Sequence, residues 1–154
     1  MPNQVYSLTG NDTLSLYDRV FTSFADDSII EITYPNDLVV VKTGKNANTI
    51  YAKDEQGNNA TMSLRIMRGS SDDKFLMTKF NQLKTDVFAQ FVLATGTFVK
   101  MLGDGAGNVT YDTYVLQGGI FTKQIEVASN VNGDTVQGVS IYSLKFALGQ
   151  RSLA

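Results

Sequence analysis

The chain has 154 residues, of which 43% are hydrophobic and 18% charged, and its 13 basic and 15 acidic side chains give a formal net charge of −2. This length and composition predict one folded domain over residues 1–154, and the charge balance argues against tight nucleic-acid binding. Because the sequence contains no Cys and no His, it excludes disulfides, zinc sites built on those ligands, and Ser-His-Asp or Cys-His catalytic groups.

The N-terminal segment MPNQVYSLTGNDT has neither the basic residues nor the apolar run of a secretory signal. No apolar stretch in the chain approaches the roughly 20 residues that a membrane-spanning helix needs. We therefore expect a soluble chain without a membrane anchor that is made in a cytoplasm.

Alternation of apolar and polar residues predicts that most of the chain is β-strand. In NVTYDTYVL, for example, Val109 and Tyr111 share one face of a strand, opposite Thr110 and Asp112. The predicted strands are SIIEITY (28–34), DLVVVK (37–42), ATMSLRIMR (60–68), DVFAQFVLAT (86–95), TFVKML (97–102), NVTYDTYVL (108–116), IFTKQIEVA (120–128) and GVSIYSLKFAL (138–148).

Short turn segments rich in Gly, Asn or Pro separate these strands, at residues 35–37, 56–59, 103–108 and 132–134. Gly and Asn supply the positive φ angles of tight hairpins, whereas parallel strands need longer crossover connections. The predicted fold is therefore mostly β, an antiparallel barrel-like or sandwich-like domain.

One α-helix is predicted to flank the strands, at about residues 71–84 in GSSDDKFLMTKFNQLK. Asp72 and Asp73 fall in its first turn, where the helix dipole favours acidic side chains. Helix capping therefore explains this pair better than acid–base catalysis does. The residues at helical spacing form one apolar stripe: Leu76, Phe80 and Leu83.

The stretch VVVKTGKNANTIY (39–51) contains Thr43-Gly44-Lys45, which is similar to the end of a phosphate-binding loop. That motif also needs a leading Gly, a hydroxyl residue after the Lys and a helix behind the loop. Here Val39 stands at the leading position, Asn46 follows Lys45, and the next residues are typical of a turn, a short strand and another turn. The segment is therefore interpreted as a connection between strands.

Two further patterns are open to a functional interpretation. The Gly-rich residues 104–108 followed by Asp112 lack the spacing and the distal Glu of a calcium loop, so a hairpin tip is the better explanation. Four aromatic side chains are candidates for a stacking platform for bases, but basic residues do not interleave with them, which favours a core or a subunit interface. They are Tyr111, Tyr114, Phe121 and Tyr142.

Residues 44–60 are predicted to form a long polar loop between two strands. Loops of this length inside compact domains usually have a function. Ile50, Tyr51 and Ala52 add an apolar centre to the segment. We therefore expect the loop to dock on a neighbouring molecule.

The chain resembles the tail tube proteins of contractile-tailed bacteriophages and related injection machines. The resemblance covers residues 12–148 and lies in EITYPNDLVVVKTGK, GKNANTIYAKDEQGNNA, TMSLRIMRGSSDDKFL and GVSIYSLKFAL, read in that order. It implies a non-enzymatic virion protein without a cofactor that forms homohexameric rings, in which strands of all subunits join into one barrel around a lumen. The rings would stack into a tube that conducts genomic DNA non-specifically, with a tail sheath protein around it and baseplate and tail terminator proteins at its ends.

Two groups of candidate functional residues follow from this resemblance. The candidate contacts between rings are Lys45, Asn46, Ile50, Tyr51, Lys53, Asp54 and Glu55. The candidates for a solvated face of the sheet that borders the lumen, the wet face, are Asp112, Thr122, Gln124 and Glu126.

Other functions stay open at this point. A tube subunit of a related contractile injection system or bacteriocin is the nearest alternative to a phage protein. A monomeric β-barrel that binds a small ligand among the aromatic side chains is a second alternative. An enzyme that uses carboxylate or lysine chemistry ranks last, because no set of residues supports it.

Overall fold

The computed structural model describes residues 7–25, 29–85, 87–129, 131 and 135–154, and about half of the chain is β-strand. The strands are β1 (Ser7–Leu16), β2 (Arg19–Phe21), β3 (Ile30–Thr33), β4 (Val39–Thr43), β5 (Thr49–Lys53), β6 (Ala60–Met67), β7 (Ala94–Gly103), β8 (Val109–Phe121), β9 (Glu126–Val127) and β10 (Val139–Leu153). The described residues contain one α-helix, α1 (Ser71–Thr85), and short 3-10 helices at Lys45–Ala47, Glu55–Asn58, Phe88–Gln90 and Thr135–Gly138.

Eight strands form one antiparallel sheet in the order β2-β1-β7-β8-β10-β6-β3, with β9 paired to the first residues of β10. The sheet curls into a half-barrel, and α1 flanks it. The prediction of a mostly-β antiparallel domain with one flanking helix is therefore confirmed. Within the described residues, β4 and β5 pair only with each other and form a second, two-stranded sheet.

The core lies on one face of the large sheet, between that face and α1. Along β6 the residues alternate strictly, with Met62, Leu64 and Ile66 fully buried and the residues between them partly exposed. Leu76 and Phe80 of the helix complete the same apolar cluster. We call this side of the sheet the core face and the opposite side the open face.

Asp72 ties the start of α1 to the segment that follows β2. Its buried carboxylate accepts hydrogen bonds from Arg19 Nε and Nη2 at 3.1 and 3.0 Å, and from the backbone N–H groups of Thr22 and Ser23 at 2.9 and 2.8 Å. Burial on its own would raise the pKa of Asp72, but the bonds from Ser23, Thr22 and Arg19 together hold it below its ordinary value of 3.8. Asp72 is therefore a structural anion.

Asp73 ties the same helical turn to β10. It accepts hydrogen bonds from the backbone N–H of Gly69 at 2.9 Å, from the Ser140 hydroxyl at 3.2 Å and from the Tyr142 hydroxyl. Burial of the Tyr142 ring, followed by its bond to Asp73, raises the pKa of that phenol. The adjacent pair therefore connects the helix to two parts of the sheet, which the capping interpretation did not include; the hydroxyl that caps the helix is that of Ser70, which accepts from the Asp73 N–H at 3.2 Å.

The strand predicted over residues 86–95 is wrong for most of its length. Residues 88–90 form a 3-10 helix, and β7 begins only at Ala94. The apolar residues here do not alternate: Phe91 is buried, whereas Phe88 and Val92 are about 70% exposed. A continuous apolar run without a period of two fits a turn that inserts one ring into the core.

The strand predicted over residues 120–128 is also wrong as one unit. Ile120 and Phe121 belong to β8, residues 122–125 form a connection, and only Glu126–Val127 pairs with β10. Gly118 has a φ of 68° where the register between β7 and β8 shifts. The pair Gly118-Gly119, which has the sequence pattern of a turn, is therefore a β-bulge within the longer strand β8.

β1 and β2 were not predicted, for a related reason. Gly10-Asn11 is typical of a turn, yet it lies inside β1, where the register with β7 shifts between Leu8 and Asp12. The turn predicted at residues 132–134 lies outside the described residues.

Candidate assembly surfaces

An exposed hairpin, β4 with β5, projects from the domain. The strands pair antiparallel from Val39 opposite Lys53 to Thr43 opposite Thr49, and every residue of both strands is exposed. The prediction of a long polar loop over residues 44–60 is corrected by this finding, because the segment includes a full strand, two short 3-10 helices and the first residue of β6. Its apolar centre, Ile50, Tyr51 and Ala52, lies within that strand, β5.

The tip of the exposed hairpin holds the residues that are similar to a phosphate loop. The backbone N–H of Gly44 donates to the Asn48 carbonyl at 2.7 Å, and the tip turns back through Asn46 and Ala47, whose φ angles are 65° and 61°. β5 follows at Thr49, where a phosphate-binding loop would be followed by a helix. The interpretation as a connection between strands is confirmed.

The base of the exposed hairpin is firmly held. The Asp54 N–H donates to the Leu38 carbonyl at 2.8 Å, and the Asp54 carboxylate accepts from the Gln56 N–H at 3.0 Å. Gly57 is buried against the chain at Leu38, where an added Cβ would lie 2.5 Å from the Leu38 Cα. The hairpin therefore leaves the domain in a defined direction.

The predicted inter-ring residues divide between the tip, β5 and the base of the exposed hairpin. Lys45 and Asn46 lie at the tip, and Ile50 and Tyr51 lie on β5 with 68% and 72% of their surfaces exposed. Lys53 ends β5, Asp54 caps the following 3-10 helix, and Glu55 lies in that helix with an oxygen 3.9 Å from Lys53 Nζ. Their role between rings stays a prediction.

Apolar side chains occur on both faces of the exposed hairpin. Tyr51 lies opposite Val41 on one face, and Ile50 shares the other face with Val40. A lone two-stranded hairpin is marginally stable in water, and exposed apolar groups of this kind typically mark an interaction surface. The exposed hairpin is therefore suited to burial between neighbours on both of its sides.

The second surface consists of four adjacent strands, β1-β7-β8-β10, that end in two open edges. β2 pairs with β1 only from Leu14 to Leu16, and β6 pairs with β10 only as far as Phe146. Among the described residues, no strand pairs with the outer edge of β1 over residues 7–13 or of β10 over residues 147–153. Because each of the three pairings is antiparallel, these two open edges run in opposite directions.

A row of charged side chains crosses these four strands on the core face. Asp12, Lys100 and Asp112 are register partners on β1, β7 and β8. Each lies two residues along its strand from a residue that packs in or against the core, so all three lie on the core face; those residues are Leu14, Phe98 and Tyr114. Lys100 Nζ lies 3.1 Å from an Asp12 oxygen, and Arg151 of β10 donates to both Asp112 oxygens at 2.8 and 2.9 Å. The signs therefore alternate, minus, plus, minus, plus, from one open edge to the other.

Arg151 is also positioned by an aromatic ring. Its guanidinium carbon lies 5.9 Å from the centre of the Tyr114 ring, and about half of its side chain is exposed. The hydrogen bonds to Asp112, together with nearby Tyr114 and the Asp112 charge, raise the pKa of Arg151 above its ordinary value. The side chain is a permanent cation at the β10 edge.

Over the described side chains of residues 12–16, 94–103, 109–117 and 147–153, the open face of the same four strands carries no charged group. Lys145 lies exposed on the open face nearer the start of β10. Over those four ranges, alternation and register place on the open face only hydroxyl, amide and apolar groups. They include Thr13, Ser15, Thr97, Val99, Met101, Tyr111, Thr113, Val115, Gln117, Gln150 and Ser152.

The four wet-face candidates lie in two regions. Asp112 belongs to the charged row on the core face, where its side chain is 14% exposed. Thr122 and Gln124 are exposed in the connection after β8, and Glu126 is exposed on β9 opposite Ile141. Their assignment to a lumen stays a prediction.

Sequence reasoning missed three members of the charged row: Asp12, Lys100 and Arg151. A usable signal was present, because each is an isolated charge in an otherwise uncharged stretch of strand. Only the pairing of distant strands shows that they meet.

The Gly-rich hairpin tip binds its own acidic side chain. Asp104 accepts from the Ala106 N–H at 2.8 Å, and from the Asn108 side chain and N–H at 2.8 and 3.1 Å. These bonds, led by that from the Asn108 side chain, lower the pKa of Asp104. No group of three potential metal ligands occurs in the part of the chain that the structure describes.

The four aromatic residues do not share a surface. Phe121 and Tyr142 are buried together with ring centres 6.1 Å apart, Tyr114 packs 6.2 Å from Phe98, and Tyr111 is exposed on the open face. The prediction was packing in a core or a subunit interface: Phe121 and Tyr142 lie in the core and Tyr114 packs against it, whereas an interface role for Tyr111 stays a prediction. Within the described ranges, no helix is both long and apolar enough to cross a membrane.

Comparison with known proteins finds a chain of similar fold among the solved structures. No protein-family model and no curated protein matches the sequence. A chain in the cryo-EM structure of the PVC sheath-tube complex of an extracellular contractile injection system, in its extended state, is similar in fold, with a TM-score of 0.63 and 11% sequence identity. The match covers 93% of this chain and 88% of that chain, so it includes nearly the whole fold of both.

Proposed function

We propose that this chain is the structural subunit of the inner tube of a contractile injection machine. The leading form is a bacteriophage tail tube of stacked hexameric rings that conducts genomic DNA, and the alternative is the tube of a related injection device. The observation that carries the proposal is the four-stranded sheet with two open edges of opposite direction. The fold likeness to a chain of a sheath-tube complex supports it.

The open edges favour closure of a ring. Unpaired strand edges are templates for further pairing, and a closed barrel removes them. Each copy contributes four antiparallel strands, so β10 of one copy meets β1 of the next in antiparallel orientation. Because four is an even number, this order is preserved around a ring of any number of copies, including six.

The exposed hairpin favours stacking of such rings. Its base is fixed by the bonds at Leu38 and Asp54, while its strands bury no residue within their own chain. Apolar groups on both of its faces suit a groove between two subunits of the adjacent ring. Ile50, Tyr51 and Lys45 would make the contacts between rings.

The open face suits a conduit. The helix and the core occupy the other side of the sheet, so only the open face is free to border a lumen. Cationic side chains are what holds a phosphate backbone to a protein, and the open face has none over the described side chains of β1 and β7 and over residues 109–117 and 147–153; Lys145 and Arg65 lie on this face nearer β6. DNA could therefore pass without being gripped, while sheath, baseplate and terminator proteins would bind elsewhere on the tube.

The two surfaces can be tested separately. Val39 and Lys53 are direct partners, so replacing residues 40–52 by Asn-Gly should close a short hairpin and leave the buried Gly57 in place. Negative-stain electron microscopy should show tubes for the wild type and isolated rings for this variant. A wild type that stays monomeric at high concentration would overturn the proposal, and normal tubes from the variant would overturn the role of the hairpin.

The cargo distinguishes the two forms of the proposed tube. Particles purified from producing cells should be treated with nuclease and then assayed for protected DNA. Protected DNA of genome length supports the bacteriophage tail. Contractile particles without it would assign the chain to a related injection device.

A further inference from the structure

We propose that neighbouring subunits in the ring are held in register by an ion pair between Arg151 of one copy and Asp12 of the next. The inference rests on the proposed function for the existence of the ring. It adds which residues meet across the boundary and which strand register they impose.

The charged row is complementary from end to end. Its last charge at the β1 edge is the acidic Asp12, and its last charge at the β10 edge is the basic Arg151. Both lie on the core face, so edge-to-edge pairing of two copies brings them to the same side of the joined sheet. The alternation of signs then continues into the next copy.

Both side chains have bonding capacity left. Arg151 uses Nε and Nη2 for Asp112, and a guanidinium carries five N–H groups, so Nη1 can serve a second carboxylate. Asp12 receives Lys100 Nζ at 3.1 and 3.3 Å, and a carboxylate has about four acceptor sites. The new pair can therefore form without breaking either existing one.

The same charges disfavour the wrong pairings. Two β1 edges would place Asp12 near Asp12, and two β10 edges would place Arg151 near Arg151, and like charges opposite each other destabilise a sheet. Head-to-tail pairing of unlike edges is what builds rings, whereas like edges would give closed dimers. The charge pattern therefore favours a ring.

The pair also selects one register. With Arg151 opposite Asp12, Gln150 lies opposite Thr13 on the open face. A slip of one residue would place the two charges on opposite faces of the sheet. A slip of two residues would place Ser152 opposite Thr13 and would move the charges apart.

Paired cysteines can read this register directly, because the chain has no Cys of its own. We would compare the double variant Thr13→Cys/Gln150→Cys with the matched control Thr13→Cys/Ser152→Cys, in which all three substituted side chains are exposed. Within one chain the two positions lie three strand spacings apart, about 14 Å, which exceeds the roughly 7 Å limit for a disulfide. Any disulfide must therefore join different copies.

Assemblies formed under reducing conditions would be oxidised and run on a non-reducing gel. A ladder that extends to the subunit number of the ring for the 13/150 pair, and little cross-linking for the 13/152 pair, is the expected result. Rings with a ladder for the 13/152 pair, or for neither pair, would overturn the register while leaving the tube function intact. Absence of rings from the wild type would instead overturn the proposed function.

Variants that fail to assemble can be examined by mixing. The single variants Thr13→Cys and Gln150→Cys, combined in equal amounts with an excess of wild type, would place isolated cysteine pairs in otherwise native rings. A disulfide-linked dimer under these conditions supports the register, and its absence from well-formed rings contradicts it.

Discussion

Asp72 gathers three groups around a single carboxylate: the Arg19 guanidinium and the backbone N–H groups of Thr22 and Ser23. Two of these donors are the backbone N–H groups of Thr22 and Ser23, and Asp72 is the side chain that accepts from both. This one contact joins the N-terminus of α1 to the turn after β2, at a point where acidic residues also complement the helix dipole. Asp72 therefore has a structural role, and the feature that it shares with a catalytic carboxylate is its burial.

Substituting Asp72→Ala should lower the free energy of unfolding by about 3 kcal/mol, because it leaves two N–H groups and a cation without their acceptor. Chemical denaturation at neutral pH measures this. Glu31→Gln, an exposed substitution on β3, is the control and should change the free energy by less than about 0.5 kcal/mol.

The same site predicts a pH dependence. Because the pKa of Asp72 is lower in the folded chain than its ordinary 3.8, its stabilising contribution is complete above that value and is lost as the pH falls through the folded pKa. Thermal unfolding between pH 2 and pH 6 should therefore show a smaller acid-side loss of stability in Asp72→Ala than in wild type. Identical acid-side slopes would contradict the assignment.

Gly96 is required for a different physical reason. A Cβ at this position would lie 2.3 Å from Leu16 Cδ2 and 2.5 Å from the Ser15 carbonyl oxygen, and a backbone atom cannot move away cheaply. Gly96→Ala should destabilise the fold by about 1–3 kcal/mol. Gly138→Ala, where nothing lies within 4 Å, should be neutral or stabilising by up to about 1 kcal/mol in the same denaturation assay.

Strict alternation of apolar and polar residues predicted the position of a strand correctly, whereas glycines that lie inside strands have the sequence pattern of turns. β6 shows buried residues at every second position, and the sequence ATMSLRIMR predicts it almost to the residue. Gly118 and Gly10 instead lie within β8 and β1, where register shifts accommodate them, although each resembles a turn in the sequence. A local pattern cannot distinguish a bulge from a turn, because the difference is whether a partner strand continues alongside.

For the candidate surfaces, too, the features that depend on neighbouring residues could be predicted, and those that depend on distant strands could not. Ile50, Tyr51 and Ala52 were recognised as an apolar centre, and the structure places them on the exposed hairpin, while the docking expected of this segment stays a prediction. The charged row could not be predicted, since Asp12 and Lys100 are 88 residues apart and meet only through sheet pairing.

The exposed hairpin predicts a variant in which folding and assembly separate. Ile50→Ser with Tyr51→Ser removes exposed side chains, so the free energy of unfolding of the isolated subunit should change by less than about 1 kcal/mol. Stacking of rings should be lost, which negative-stain electron microscopy can show. Thr43→Ser, a conservative change on the same exposed hairpin, should stack normally.

Three regions of the described surface differ in chemistry: paired charges beside the core, uncharged groups on the open face over residues 94–103, 109–117 and 147–153, and apolar groups on the exposed hairpin. If other copies pair with the open edges and cover the exposed hairpin, as proposed, association stabilises the folded subunit.

This coupling predicts that the midpoint of thermal unfolding rises with protein concentration, by mass action. Differential scanning fluorimetry over a dilution series measures it. The Ile50→Ser/Tyr51→Ser variant should show a weaker concentration dependence, because ring contacts remain and stacking contacts do not. A midpoint independent of concentration in the wild type would contradict assembly through these surfaces.

The exposed hairpin leaves the domain at one fixed place, and this has a consequence for growth. In a stack built by the hairpins of one ring entering the next, every added ring presents the same unfilled hairpins that the previous ring did. Elongation is then polar, its two ends differ chemically, and nothing in the subunit counts how many rings have been added. The length of such a polymer must be measured by another molecule, and each end requires its own kind of cap.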